Sequence, residues 1–461
     1  MPKDFPAGSN LSQERKKKQQ LKARLLSEAR LKKTPSTDDL DPESILTLRS
    51  QASSFDASGA ATDFKCFPAY KELSLTYDVG EHLQLDNPFF KMHQGLASDT
   101  TIIDGRSYVN FGSYNYLSIN EHPRLIAAAK KAIDDYGVSC SASRVVSGER
   151  AIQRELEYAL ADLHNTDDAV VFVSGHATNV TTIGYLFTAK DLIIHDSLIH
   201  NSIIQGIQLS GAARLSFKHN DCDELEEVLR QRRGQFERVL IVTEGLFSME
   251  GDIPDLPKLI EIKRRYNAFL MVDEAHSIGV LGATGAGIAE HFSVPSNAVD
   301  IWMGTLSKTL ASCGGYIAGS QVLIDILKGG APGYLFSVGI APTLAAAALT
   351  ALDIMRKEPE RIRKLNSNTA LFDRLARLHN IDTGTNQQQA IVPVITGSSL
   401  MAVRLANRLF EEGVNVQPIL HPAVEERLAR LRFFICANHS EQQIMHTIEL
   451  LSKSMLSLDM I

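Results

Sequence analysis

Short runs of apolar residues recur between residues 169 and 303, and helical patterns separate most of them. Each run has the length of a buried strand and is bounded by glycine or polar residues. The runs cover residues 169–173, 192–194, 214–217, 239–242, 269–272 and 301–303. Strands that alternate with helices predict an α/β domain with a largely parallel central sheet. Such sheets bind ligands at the carboxyl ends of their strands, so the residues that follow each run are candidate functional residues.

A lysine follows the last of these runs. The run ends at Gly304, and the segment Gly304-Thr305-Leu306-Ser307-Lys308-Thr309 continues from it. Burial next to a strand would remove water from the amine and lower its pKa. A partly neutral amine can react with a carbonyl compound, so Lys308 is a candidate nucleophile. A polar turn would have the same composition.

Two further strand ends carry candidate residues. The first is Ser174-Gly175-His176-Ala177-Thr178-Asn179, where free backbone N–H groups at a helix start would suit a phosphate. An ordinary turn remains an alternative there. The second is Asp273-Glu274-Ala275-His276, where a carboxylate directly after an apolar strand is costly to bury without a cation.

Asp273 leaves three interpretations open. A protonated pyridine nitrogen would supply the missing cation, a helix N-cap would satisfy the carboxylate locally, and a nucleotide-binding acidic strand would use it for a metal. No Gly-x-x-x-x-Gly-Lys-Ser/Thr loop precedes it, which excludes the third. A phosphate cradle, a carboxylate for a pyridinium and a lysine for an aldehyde together predict a site for pyridoxal 5′-phosphate (PLP).

Charge and cysteine content limit the other possibilities. The net charge of −7 gives no reason to expect a nucleic-acid partner. The five cysteines are scattered without a Cys-x-x-Cys pair, which predicts neither a disulfide framework nor a metal site and favours a cytoplasmic location. The most apolar stretch, residues 335–355, is interrupted by Gly339 and Pro342, so we predict a buried or interdomain helix and no membrane span.

The first 60 residues differ in composition from the rest. Nine Lys/Arg and one acid lie between Arg15 and Lys33, and an acidic segment with prolines follows. The segment is either a solvated tail or a basic helix that docks an acidic partner such as an acyl carrier protein. We predict four parts: an extension at 1–60, an arm at 61–110, a large PLP-binding domain at 111–345 and a small domain at 346–461.

Six motifs resemble one enzyme family over residues 110–439. The chain is similar to the α-oxoamine synthases, which belong to the fold-type I, aspartate aminotransferase-like PLP enzymes and include serine palmitoyltransferase. The motifs are Ser174-Gly-His-Ala-Thr-Asn179, Asp196-Ser-Leu-Ile-His-Asn-Ser202, Glu244-Gly-Leu-Phe-Ser-Met-Glu-Gly-Asp252, Val272-Asp-Glu-Ala-His-Ser277, Gly304-Thr-Leu-Ser-Lys308 and Arg430-Leu-Arg432. The resemblance implies a large α/β domain, a smaller C-terminal α+β domain and a homodimer.

The resemblance also implies residue roles. Lys308 would hold PLP covalently, Asp273 would pair with its ring nitrogen, and His200 would stack on the ring. His276 would lie near the phenolic oxygen of PLP and the reacting carbonyl. The phosphate-binding positions match Gly175, His176 and Thr305, and Ser248 matches a hydroxyl near the ring. Arg432 would bind the substrate carboxylate, for which a guanidinium is suited, and the substrate-binding set also includes Tyr114 and Ser141.

The implied reaction is a decarboxylative Claisen-type condensation of an amino acid (glycine, alanine or serine) with an acyl thioester. The acyl donor would be an acyl-CoA or an acyl carrier protein. Three positions depart from the usual family pattern: Tyr114 replaces an asparagine, Ser139–Arg144 replaces a glycine-rich loop, and Val338 replaces a hydroxyl residue. An aminotransferase and a non-catalytic PLP-fold subunit are the alternative functions.

Overall fold

A computed structural model describes residues 62–458 and residue 460. The chain divides into two compact units, Met1–Leu83 and Gln84–Ile461. The described part of the first unit holds a short turn at Phe64–Cys66 and helix α1 at Pro68–His82. The predicted basic helix within residues 15–33 and the linker after it lie outside the described residues.

A small sheet opens the second unit. Its strands are β1 (His93–Gln94), β2 (Thr100–Ile103) and β3 (Arg106–Asn110), paired antiparallel in sequence order. Much later in the chain, β12 (Val414–Asn415) joins the edge of β3 in parallel. The C-terminal part of the chain therefore completes a sheet that the N-terminal arm begins.

The central sheet has seven strands in the order β4-β10-β9-β8-β7-β5-β6. They are β4 (Asp168–Phe172), β5 (Leu192–Asp196), β6 (Ala213–Phe217), β7 (Val239–Glu244), β8 (Phe269–Asp273), β9 (Ile301–Thr305) and β10 (Gly315–Gly319). All are parallel except β10, which runs antiparallel to both of its neighbours, β4 and β9. The carboxyl ends of six strands consequently meet along one edge.

Apolar side chains cover both faces of this sheet. Successive strand residues alternate between two hydrophobic clusters: Trp302 belongs to one, and Ile301 and Met303 belong to the other. Helices pack on both sides, as the near-continuous apolar strands require. The helices between residues 123 and 335 are α2 (Pro123–Tyr136), α3 (Ala151–Leu163), α4 (Gly175–Leu186), α5 (Asn201–Ser210), α6 (Cys222–Arg232), α7 (Leu256–Arg265), α8 (Ile288–His291), α9 (Gln321–Gly330) and α10 (Pro332–Leu335).

The C-terminal part is an α+β arrangement. Its three-stranded antiparallel sheet has the order β11-β14-β13, with β11 at Ile391–Ile395, β13 at Gln417–Ile419 and β14 at Arg430–Phe434. Its helices are α11 (Pro342–Lys357), α12 (Glu360–Leu378), α13 (Ser399–Glu411) and α14 (Glu441–Ser457). Residues of all four helices are buried in the same core as β11 and β14.

The predicted α/β fold is confirmed, and one strand of the central sheet was not predicted. Each of the six apolar runs forms a strand, and α2 begins at Pro123 and ends before Gly137, whose φ of 76° suits a glycine cap. Strand β10 went unrecognised because its five residues begin and end with glycine, which is depleted in strands. In the described part of the chain, no helix has the length and apolar character needed to cross a membrane.

Candidate PLP site at the carboxyl edge of the central sheet

Lys308 lies in the loop that joins β9 to β10. Thr305 and Gly315 are paired across these strands, and Gly314 O accepts hydrogen bonds from Leu306 N and Thr305 Oγ1, both at 3.0 Å. The loop lines a polar cavity of about 440 Å³ that also includes Tyr114. Lys308 Nζ lies 5.7 Å from the centre of the Tyr114 ring.

A larger cavity, about 800 Å³, lies at the opposite edge of the sheet, where it is lined by Arg238, Asp300 and Gly319. None of the predicted site residues lines it. Size alone would favour that cavity, but the smaller one holds the lysine and is the better candidate for the reaction.

The environment of Lys308 favours a reactive amine. Burial lowers its pKa from 10.5 to about 8, although the nearby carboxylates of Asp273 and Glu244 act in the opposite direction. The charge of Arg432 lowers the pKa further. An amine with this pKa is partly neutral near physiological pH, which is the form that attacks an aldehyde.

A hydrogen-bonded chain links Asp273 to His200. Asp273 ends β8 and is buried, and its Oδ2 accepts a hydrogen bond of 2.9 Å from Asn179 Nδ2. Asn179 Nδ2 also lies 2.9 Å from Ser202 Oγ, which lies 2.7 Å from Nδ1 of His200. His200 directly precedes α5 and is exposed. The two residues predicted to contact the PLP ring are therefore held by one network.

His276 is buried beside this network. Its Nδ1 lies 2.8 Å from Tyr116 Oη, and its ring is parallel to that of Phe434 with a centroid distance of 6.4 Å. Burial lowers the pKa of His276 well below its ordinary value, and the charges of Lys308 and Arg432 lower it further. His276 is therefore neutral at physiological pH and lies within the electrostatic influence of both cations.

The start of α4 forms a cradle for an anion. Ser174 caps the helix by accepting a hydrogen bond of 3.0 Å from Ala177 N, and His176 is exposed. A Cβ at Gly175 would lie 2.9 Å from Thr305 Oγ1, so glycine is needed for this close approach. Free N–H groups at a helix N-terminus beside a threonine hydroxyl fit a phosphate group.

Arg432 lies on β14, and its Nη1 donates to Ser248 O over 3.0 Å. Its guanidinium lies 4.7 Å from the centre of the Phe434 ring, and its buried Nε has no partner among the described residues. Arg430, two positions earlier, forms an ion pair of 2.8 Å with Glu250. Arg432 is therefore the arginine of this motif with a donor free for a carboxylate.

Two motif acids have a structural role. His219 lies between them, with Nδ1 at 3.0 Å from Asp196 Oδ1 and Nε2 at 3.0 Å from Asp252 Oδ2. Burial by itself would lower the pKa of His219, but the hydrogen bonds to both carboxylates raise it to about 10. Asp252 Oδ2 also accepts from Thr385 Oγ1 over 2.8 Å. The charged histidine therefore connects three loops near the site.

One predicted residue is not brought to the site. Ser141 is exposed, has a φ of 53° and donates its backbone N–H to Ser139 Oγ over 3.1 Å. In the described residues it makes no hydrogen bond to Lys308, Tyr114 or Arg432. Its role in substrate binding stays a prediction.

Three buried residues at the site were missed as functional candidates: Asn179, Tyr116 and Glu244. Asn179 lies one helical turn after Gly175, a spacing that brings it back to the strand end. Glu244 is paired in register with Asp273 on the neighbouring strand. Burial, and then the charge of Asp273, raises the pKa of Glu244 to about 8.

These residues fit PLP. The cradle at Gly175 and Thr305 would hold its phosphate, the buried carboxylate of Asp273 its ring nitrogen, His200 its ring face and Lys308 its aldehyde carbon. These residues provide one group for each functional part of the cofactor. The hydrogen bond to Asp273, the close approach at Gly175 and the buried amine of Lys308 are all present in the protein itself.

Comparison with known proteins identifies the family of the chain. Residues 106–451 match the family "Aminotransferase class I and II". The chain is 39% identical to 8-amino-7-oxononanoate synthase 1 of Bacillus velezensis (78% of this chain, 91% of the relative). It is 42% identical to 8-amino-7-oxononanoate synthase of Symbiobacterium thermophilum (75% and 87%).

Solved structures give the same result. Serine palmitoyltransferase of Sphingomonas wittichii superposes with a TM-score of 0.82 at 28% identity, over 87% of this chain and all of that chain. 8-Amino-7-oxononanoate synthase of Francisella tularensis superposes with a TM-score of 0.67 at 28% identity, over 77% and 99%. The chain belongs to the aminotransferase class I and II family and, within it, to the PLP-dependent α-oxoamine synthases.

Proposed function

We propose that the site described above condenses a small amino acid with an acyl thioester, with release of CO2 and of the thiol, to give an α-amino ketone. The observation that carries this proposal is the position of Lys308: an amine with a lowered pKa, influenced by the carboxylate of Asp273 and by the cation of Arg432. That combination supplies a proton-transfer group, a partner for a pyridinium and a carboxylate-binding group, all close enough to influence one another electrostatically.

Each residue has a distinct task in the proposed reaction. Bound PLP supplies an electron sink for the α-carbon of the amino acid. Arg432 orients the substrate carboxylate through its free guanidinium nitrogens, and the Lys308 amine removes and returns a proton at the α-carbon. Asp273, held by Asn179, keeps its negative charge directed at the cofactor position. His276 donates a hydrogen bond to the acyl carbonyl oxygen.

Aromatic side chains border the proposed position of the amino acid. Tyr114 lies between Lys308 and Phe434, whose ring centre is 4.8 Å from that of Tyr114, and Phe434 in turn contacts Arg432. The relatives' name, 8-amino-7-oxononanoate synthase, describes a product whose amino carbon bears a methyl group. Alanine is the amino acid that leaves this group, and we propose it as the first candidate, with glycine and serine next.

We further propose a homodimer with each site near the subunit interface. Four large apolar side chains are exposed on two segments that are joined by a bridge between Ser143 and Val338. They are Val145 (63%), Val146 (78%), Phe336 (86%) and Val338 (48%). An exposed apolar patch of this kind is typical of a protein interface. Ser141 adjoins the patch, and its predicted role would be in the partner's site.

The basic segment at residues 15–33 supports an acyl carrier protein as the acyl donor, because carrier surfaces are acidic and the segment has nine Lys/Arg. Changing Lys16, Lys17 and Lys18 to glutamate in the full chain tests this idea. We expect a higher KM for the acyl carrier protein and an unchanged KM for the matching acyl-CoA. Equal effects on both donors would contradict it.

The five cysteines are free, which is consistent with a cytoplasmic location.

Mass spectrometry of the products tests the proposed function. The enzyme is incubated with glycine, alanine or serine and with acyl-CoA or acyl carrier protein donors, and released CO2 is measured in parallel. We expect one amino acid to give an α-amino ketone with stoichiometric CO2. Conversion of PLP to pyridoxamine phosphate with the amino acid alone would instead identify an aminotransferase, and no CO2 with any pair would refute the proposal.

A further inference from the structure

Tyr116 is buried in direct contact with His276, and Tyr116 has no role among the residue tasks described above. The side chain is 0% exposed, and its Oη lies 2.8 Å from His276 Nδ1. Burial raises the pKa of Tyr116 well above its ordinary value, so the phenol keeps its proton. The contact is therefore between a neutral phenol and a neutral imidazole.

The hydrogen-bond partners available to Tyr116 decide whether Tyr116 or His276 donates the proton. Among the described residues, no acceptor other than His276 Nδ1 lies within hydrogen-bonding distance of Tyr116 Oη. If Nδ1 carried the imidazole proton, Tyr116 would accept it, and its own buried O–H would have no partner, an arrangement that proteins avoid. If Tyr116 donates to Nδ1, both atoms of this contact are satisfied. The imidazole proton is then on Nε2.

The contact with Tyr116 leaves the second ring nitrogen, Nε2, free. It has no hydrogen-bond partner in the described residues, and the ring lies parallel to that of Phe434 at a centroid distance of 6.4 Å and edge-on to Tyr114 at 6.0 Å. The charges of Lys308 and Arg432 both act on His276. An Nε2–H at this place can donate to a carbonyl oxygen, whereas a bare Nε2 could only accept.

We propose that Tyr116 is a positioning residue that fixes His276 in the Nε2–H tautomer, so that His276 acts as a neutral hydrogen-bond donor to the acyl carbonyl oxygen of the thioester. This inference rests on the proposed function for its substrate, but the tautomer itself is a property of the protein alone. Negative charge develops on that oxygen when the carbon–carbon bond forms, and a preoriented donor stabilises it.

The tautomer is measured directly in the holoenzyme labelled with ¹⁵N-histidine, since the two ring nitrogens have different shifts when protonated and unprotonated. His276→Asn identifies the resonances. We expect a protonated Nε2 and an unprotonated Nδ1 in the wild type, and a loss of this single state in Tyr116→Phe. A protonated Nδ1 in the wild type overturns the proposal without the need for any variant.

Two kinetic readouts separate positioning from a structural effect. Exchange of the α-proton of the amino acid without acyl donor uses Lys308, so Tyr116→Phe should leave its rate within about twofold of wild type, while kcat for condensation should fall about 10- to 100-fold. The KM for the amino acid should stay the same. Equal losses in both reactions, or no loss in condensation, overturn the proposal.

The chain offers a matched control. Tyr316 and His164 form a second buried tyrosine–histidine pair, with Tyr316 Oη 2.9 Å from His164 Nε2. Tyr316→Phe removes the same kind of hydrogen bond and should leave the His276 shifts and both rates unchanged. An equal loss of condensation in Tyr316→Phe overturns the positioning role. If condensation fails with every donor while the wild-type tautomer is as expected, the proposed function fails and the tautomer assignment stands.

Discussion

The lowered pKa of Lys308 makes a quantitative prediction about the apoenzyme. With a pKa of about 8, roughly one-tenth of the amines are neutral at pH 7, compared with about three in ten thousand at the ordinary value, a ratio of about 300. The carboxylate of Asp273 opposes this shift. Asp273→Asn should therefore move the titration of Lys308 below 8.

Competitive trace acetylation of the apoenzyme measures this titration. Labelling of Lys308 is quantified by peptide mass spectrometry between about pH 6 and about pH 11, with Lys190, whose side chain is 73% exposed, as the internal comparison. We expect the reactivity of Lys308 to level off near pH 8 to 9. If Lys308 continued to gain reactivity in parallel with Lys190 up to the highest pH, the proposed reactive amine would be refuted.

Three other substitutions test separate parts of the structure. Lys308→Ala should abolish the absorbance of lysine-bound PLP and all turnover while the circular dichroism stays unchanged, and any retained turnover would contradict the assignment. Arg432→Ala should raise the KM for the amino acid about 10- to 100-fold, because one charge-assisted contact to the carboxylate is lost, with a smaller effect on the KM of the acyl donor. His219 has a folded pKa of about 10, above the unfolded value of 6.5, so its ion pairs with Asp196 and Asp252 should stabilise the fold fully below pH 6.5 and progressively less as the pH rises through 10. His219→Gln should have a lower Tm at pH 7 and a flatter decline of Tm with pH, and parallel Tm curves for the two proteins would count against this ion-pair role.

The strands and the residues that follow them were predictable because they depend on local pattern. Runs of β-branched and apolar residues place β5, β7 and β8, and Asp273 follows from the cost of burying a carboxylate at a strand end. The sequence also predicts Lys308 and the anion cradle at Gly175. In each case the signal lies within a few neighbouring residues.

The contacts that position these groups were not predictable in the same way. Tyr116 reaches His276 across 160 positions of sequence, and Asn179 reaches Asp273 across 94. Such pairs depend on the packing of separate elements, for which a single sequence gives no distance. Glu244 was overlooked for a different reason: only the register of β7 with β8 shows that it lies opposite Asp273.

The antiparallel strand β10 has a consequence for the order in which the protein folds. β9 and β10 form a hairpin around Lys308, and the pair Thr305–Gly315 closes a loop of short contour length, which carries a small entropic cost. The anion cradle after β4 reaches the lysine only when Phe172 pairs with Gly315, a contact between residues far apart in the chain. Non-local pairings of this kind form slowly. PLP binding during refolding should therefore follow the pairing of β4 with β10. The rate at which the absorbance of bound PLP appears would then measure how fast the central sheet assembles.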